Sequence, residues 1–198
     1  VTLRKWFHLF WTTLVLGSAS SIIMGLILQF SDKEFSVMGI SGVGFNVFNM
    51  LLCGALISVF SQMGFFAYLI VRFIAVGFVR SKRIFELIQI AVIIFVLFEL
   101  IFLRITNSKT SETMISYFIL PIVLIIISLA VSYWKAKLTN QNAFVPTLFF
   151  MFAVTVLEAV PALKLDIAAS TIFMLAPLLV SNAWQILTLH KILDNKKS

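Results

Sequence analysis

Charged residues are sparse and cut the chain into long apolar runs. Trp6 to Phe30 contains no acid, lysine or arginine, and Phe35 to Val71 is a second such run of 37 residues. That second run exceeds one simple span. Its first part, Val37 to Gly44, carries Gly39, Gly42 and Gly44 and reads as a loop or irregular entry. Further runs follow at 84–103, 113–134, 143–163 and 167–189; the third span of the series carries Glu86 and Glu99, and the fifth carries Glu158. A hydrocarbon core of about 30 Å needs roughly 20 apolar residues per helix. The pattern therefore predicts six transmembrane helices at about 6–30, 45–71, 84–103, 113–134, 143–163 and 167–189, with 1–198 forming a single integral membrane domain.

The runs are rich in Ile, Val and Phe, which favour strands in water. They are too long and too continuous for a barrel, whose strands alternate over segments of about ten residues. Inside lipid every backbone N–H and C=O must be satisfied within the segment, so the predicted fold is an all-α bundle. Composition agrees. Of 198 residues, 61% are apolar and 12% charged, against about 25% charged in ordinary soluble domains. That balance cannot cover the surface of a soluble globule. It also excludes disorder, and a lone Cys53 excludes a disulfide scaffold.

Orientation follows from the basic residues. One side would hold Arg4, Lys5, Arg72, Arg80, Lys82, Arg83, Lys135, Lys137, Lys191, Lys196 and Lys197; the other only Lys33, Arg104, Lys109 and Lys164. Eleven against four is a positive-inside signal that places both termini in the cytoplasm and the protein in the cytoplasmic membrane. Trp6, Trp11, Trp134, Trp184, Tyr68 and Tyr133 fall toward the same ends, where interfacial aromatics belong. The net charge of +7 then reads as topology and contact with anionic lipid; it is split among short loops and does not suggest nucleic acid. Arg4-Lys5, an apolar stretch and Gly17-Ser18-Ala19-Ser20 mimic a signal peptide, but the apolar run continues through Ile22 to Phe30 and is read as the first span.

Polar groups within the spans are the candidate sites. Glu99 and Glu158 lie near the outward C-terminal ends of their helices, where the macrodipole disfavours acids. Two readings are open: an outer-leaflet site for a cation, proton or polar signal, or snorkelling and pairing with Arg104 and Lys164. Asn46 and Asn49 share one face of the second span, followed by Ser58, Ser61 and Gln62; Asn182 and Gln185 share a face of the sixth. Such amides either bond to a neighbouring helix or bind a ligand. Pro177 interrupts the middle of the sixth span, Pro146 suits the first turn of the fifth, and Pro161 follows Glu158. Gly17, Ser21 and Gly25 recur every four residues on the first span, and Gly54 and Ser58 do so on the second. Small residues at that spacing let backbones approach, either within the bundle or against a partner helix.

Catalytic and cofactor patterns are thin. His8 and His190 both fall near the inner surface, and no His-Glu-x-x-His or Cys-x-x-Cys occurs. Gly39-x-x-Gly42-x-Gly44 lacks the Gly-Lys-Ser/Thr of a phosphate loop. Neither an enzyme nor a bound cofactor or metal is expected.

Several strings together carry a resemblance. They are Ser61-Gln62-Met63-Gly64-Phe65-Phe66-Ala67-Tyr68-Leu69 leading into Arg72-Phe73; Thr139-Asn140; Phe144-Val145-Pro146-Thr147-Leu148-Phe149-Phe150-Met151; Leu157-Glu158-Ala159-Val160-Pro161-Ala162-Leu163; Asn182-Ala183-Trp184-Gln185; and Leu189-His190. In this order the chain resembles the KinB-signalling pathway activation (KbaA) family of spore-forming bacilli. The resemblance implies a membrane protein that promotes a sensor histidine kinase feeding the phosphorelay of sporulation. It carries over no catalytic or ligand motif. Two other classes remain open on the residues alone. One is a small-molecule-binding membrane subunit of a transporter, similar in size to those of vitamin uptake. The other is a membrane-embedded lipid enzyme using Glu99 or Glu158 as a base.

Overall fold

The computed structural model describes residues 3–31, 43–79, 81–107, 114–164 and 167–193. They are helical almost throughout. Helix α1 spans Leu3–Ser31, α2 Val43–Phe78, α3 Lys82–Asn107 and α4 Met114–Leu138. The fifth run is composite. A 3-10 turn (Gln141–Ala143) leads into α5 (Phe144–Phe149), a π turn (Phe150–Val154) and α6 (Thr155–Leu163). Helix α7 covers Ala168–Leu193. Six helices among the described residues are long and apolar enough to cross a membrane: Leu3–Phe30, Asn46–Phe78, Lys82–Thr106, Phe118–Leu138, Gln141–Leu163 and Ala168–Leu193.

The number and order of helices match the apolar runs, but several ends differ. Helix α2 does not stop at Val71; it continues to Phe78. Arg72 is one cation in an otherwise apolar stretch, Phe73-Ile74-Ala75-Val76, and a single charge does not break a helix. The break comes around Ser81, whose carbonyl accepts from Phe85 N–H at 3.1 Å as α3 begins. Helix α2 also begins at Val43, so Gly44 is helical and does not belong to the expected loop. The rest of that loop, through Ser41 and Gly42, lies outside the described residues. At its other end α4 runs past Trp134 to Leu138. Pro177 sits inside α7 without ending it, and Pro121 does the same in α4.

The chain divides into two compact units, Val1–Met63 with Ile167–Ser198, and Gly64–Asp166. The division falls inside α2, so one continuous helix contributes to both. In the first unit α1 packs along α7. In the second, α5 packs on both α3 and α4, and α6 lies on α3. The π turn is the core of the second unit: Phe150, Met151, Phe152 and Ala153 are all buried. A π turn acts as one inserted residue, rotating everything downstream by about 100° around the axis. Elsewhere apolar side chains face outward along whole helices. On α3, Leu87, Ile94, Phe98 and Phe102 are each more than half exposed, a surface suited to an apolar medium.

Candidate functional site

Each unit places several polar side chains on inward helix faces. In the first unit the inward face of α2 carries Ser58, Ser61 and Gln62, all buried. Ser58 Oγ donates to the Thr13 carbonyl of α1 at 2.8 Å. Its one proton is thereby committed, so in the 3.0 Å contact between Ser58 Oγ and Ser181 Oγ the Ser181 hydroxyl is the donor. One turn further along α2, Gln185 Nε2 donates to Ser61 Oγ at 2.7 Å, and Ser61 Oγ donates to Asn182 Oδ1 at 2.7 Å. Gln185 Nε2 also reaches the Ser181 carbonyl at 3.2 Å. Gln62 Nε2 donates to the Phe10 carbonyl at 3.4 Å. The result is a hydroxyl and amide ladder joining α1, α2 and α7. Interhelical bonds between such side chains contribute about 0.6 kcal/mol each.

Not every polar atom is used. Gln185 Oε1, Gln62 Oε1, Asn46 Oδ1 and Asn49 Nδ2 are buried without a hydrogen-bond partner among the described residues. Asn46 and Asn49 share a buried face, as their spacing predicts, but lie three to four turns before the Ser61 ladder on α2. The amides thus form two groups, not one.

The small residues occupy contacts inside the first unit. A Cβ at Gly54 would stand 2.5 Å from Ser21 Cβ and 2.8 Å from Ser18 Cα. One at Gly25 would stand 2.5 Å from Met50 Sδ, and one at Gly17 would run into Ser58 Oγ. Gly17, Ser21, Gly25, Gly54 and Ser58 are therefore where α1 meets α2. All five are buried within the first unit.

The second unit is organised around Gly64, Phe65 and Tyr68 of α2. A Cβ at Gly64 would collide with the Glu158 carboxylate, so the missing side chain makes the space that Glu158 occupies. Phe65 packs edge-on against Phe150, with ring centres 5.5 Å apart, and Tyr68 lies 5.0 Å from the same ring. The Tyr68 hydroxyl donates to the Pro146 carbonyl at 3.1 Å. Arg72, one turn on, lies beside the Tyr68 hydroxyl and the Lys135 ammonium. Lys135 is 5% exposed despite its charge.

The two glutamates have different surroundings. Glu158 is half-buried against α2, whereas Glu99 is exposed on α3. Glu99 lines a groove of about 310 Å³ whose other walls are apolar, including Phe95, Leu103, Val156 and Val160. The register of α6 turns Leu157 and Val160 toward this groove and Glu158 toward Gly64. Sequence reading passed over Gly64, Thr13 and Ser181 as site residues, and counted Lys135 only as a loop charge. The signals were slight: a glycine before Phe65-Phe66, and a lysine one turn inside a helix end. No group of three or more metal-ligating side chains occurs among the described residues.

These features define a class: a helical protein whose described residues include six membrane-capable helices, with buried polar groups that tie helices to one another. The chain belongs to the KbaA family, described as KinB-signalling pathway activation in sporulation, whose model matches residues 17–192. It is 33% identical over 187 residues to the KinB-signaling pathway activation protein of Bacillus subtilis (strain 168), covering 92% of this chain and 93% of that protein. No solved structure matches the chain.

Proposed function

We propose that the protein is a multi-pass protein of the cytoplasmic membrane, with both termini inside, that promotes the activity of a KinB-type sensor histidine kinase feeding the sporulation phosphorelay. The observation that carries this reading is family membership across residues 17–192. The helical architecture supports it. The described residues are almost wholly accounted for by membrane-capable helices, and their outward faces are apolar. The protein acts by contact and catalyses no reaction itself. To activate a kinase, that contact must differ in free energy between the kinase's two states; equal binding to both would shift nothing. Because the stripe from Gly17 to Gly25 is covered by α2, the contact is assigned to exposed faces such as Leu87, Ile94 and Phe98 of α3.

Deletion of the gene tests the reading in cells. Sporulation should fall while the abundance of the kinase stays normal. Normal sporulation, or a loss explained by disappearance of the kinase, would overturn it. A cysteine crosslinking scan localises the contact: positions 87, 94 and 98 should capture kinase, and positions 17, 21 and 54 should not.

A further inference from the structure

The seam between α1 and α7 carries two grooves stacked along its length. The first, about 430 Å³, is lined by Arg4, Lys5 and His8 of α1 and by Trp184, Thr188 and Lys191 of α7, with buried Leu9 and Ile192 beneath them. Among the described residues, three fixed cations and no acid line it. The second, about 380 Å³, is lined by Trp11, Thr12, Val15 and Leu16 with Trp184. Trp184 belongs to both, so they are neighbours that share one wall. Its indole N–H donates to Thr12 Oγ1 at 3.0 Å, and Thr12 Oγ1 in turn donates to the His8 carbonyl at 2.8 Å. The shared wall is thus pinned to α1.

Shape and charge change together along this seam. The basic end lies at the start of α1 and the end of α7; the apolar end lies deeper along both helices. From Arg4 to Val15 the helix rises about 16 Å at 1.5 Å per residue, close to half of a hydrocarbon core of about 30 Å. A charged head and an apolar tail of one leaflet's depth fit this pair of grooves. Phosphate alone would make no use of the second groove, and an apolar ligand would make no use of the basic one.

We propose that α1 and α7 hold one anionic phospholipid, its phosphate among Arg4, Lys5 and Lys191 and one acyl chain along Trp11, Val15 and Leu16. Basic residues near a membrane surface act additively on anionic headgroups, each weakening binding by about fivefold when removed. Binding there would clamp the first and last helices together and make the packing of the first unit sensitive to the lipid around it.

The test uses the full chain, purified in detergent and offered phosphatidylglycerol or phosphatidylcholine with the same acyl chains. Retained lipid is counted by native mass spectrometry. One phosphatidylglycerol per chain should survive, at least tenfold over phosphatidylcholine. The double variant Arg4→Gln/Lys191→Gln should lose about 25-fold in affinity, taking about fivefold per cation. Val15→Trp, which fills the apolar groove and leaves the cations intact, should also lower retention. Lys82→Gln/Arg83→Gln, removing two cations of the other unit, should not. Equal retention of the two lipids, or a double variant that binds like the wild type, would overturn the proposal. So would full displacement by sn-glycerol 3-phosphate, which would leave a phosphate site without a lipid. Circular dichroism on each variant separates loss of the site from loss of folding. Retention of the protein in membranes washed with alkaline carbonate separates failure of lipid selectivity from failure of membrane insertion.

Discussion

Replacing Gly54 with alanine tests whether α1 and α2 are held at backbone contact. The new Cβ would meet Ser21 Cβ at 2.5 Å, Ser18 Cα at 2.8 Å and the Gly17 carbonyl at 3.0 Å. Ordinary carbon contacts lie at about 3.5–4.0 Å, so the helices must part by about 1 Å. Two of the three obstructing atoms are backbone, and no rotamer change relieves them. Overpacking of this kind costs about 1–3 kcal/mol, and backbone obstruction puts Gly54 in the upper half of that range. Alanine recovers about 0.8–1 kcal/mol of helix propensity. The net loss is therefore about 1–2 kcal/mol, or roughly 5- to 30-fold in the unfolding equilibrium. Gly77 is the internal control. It lies on the same helix, and a Cβ there meets nothing within 4 Å. Gly77→Ala should be neutral or stabilising by up to about 1 kcal/mol. Unfolding by steric trapping in bilayer-like micelles measures both. The double variant Gly54→Ala/Ser21→Gly should recover part of the loss, because Ser18 Cα still obstructs. Equal stability of Gly54→Ala and Gly77→Ala would refute the close approach of α1 and α2.

Three further outcomes follow from the packing. Gly64→Ala should cost less than Gly54→Ala, because the obstruction is the movable end of Glu158; adding Glu158→Ala should remove that cost, and a double-mutant cycle in the same unfolding assay measures the coupling. Ser61→Ala removes the acceptor for Gln185 and the donor to Asn182, a loss of about 1 kcal/mol at about 0.6 kcal/mol per bond, whereas Thr106→Ala, on an exposed turn, should leave stability unchanged. Tyr68→Phe should cost about 0.5–1.5 kcal/mol, since the Pro146 carbonyl still accepts from Phe150 N–H but Arg72 loses the hydroxyl beside it; a Tyr68→Leu variant, which also removes the ring packed on Phe150, should cost clearly more.

Helix number and order could be read from the chain because charge is excluded from long apolar runs by a strong solvation penalty, and that penalty acts locally. Helix ends were less legible. Arg72 looked like a terminus, yet α2 passes through it, because one cation in an otherwise apolar stretch does not break a helix. The π turn at Phe150–Val154 leaves no mark in composition, since its residues are ordinary core residues, so the register of the helix that follows it, with Leu157 and Val160 at the groove and Glu158 at Gly64, could not be read from spacing. Same-face pairs such as Asn182 and Gln185 were legible from spacing. Their partner, Ser61, was not, because two faces of like polarity on distant helices can meet in many registers. The small-residue stripe left open whether it packs inside the bundle or meets a partner; Gly17 lies against Ser58 of α2 and Ser181 of α7, and Gly25 against Met50. Several of the strings behind the family resemblance touch one another. Ser61 meets Asn182 and Gln185, and Gly64, Phe65 and Tyr68 meet Glu158, Phe150 and Pro146.

The central claim is that this protein raises the activity of a membrane sensor kinase by direct contact. The most direct measurement is autophosphorylation of purified KinB-type kinase in proteoliposomes, with and without the purified protein in the same bilayer. The account predicts a faster rate when both are present, saturating with the amount of protein added, and no change when each occupies separate vesicles. An unchanged rate in shared vesicles, with both proteins inserted and folded, would contradict it.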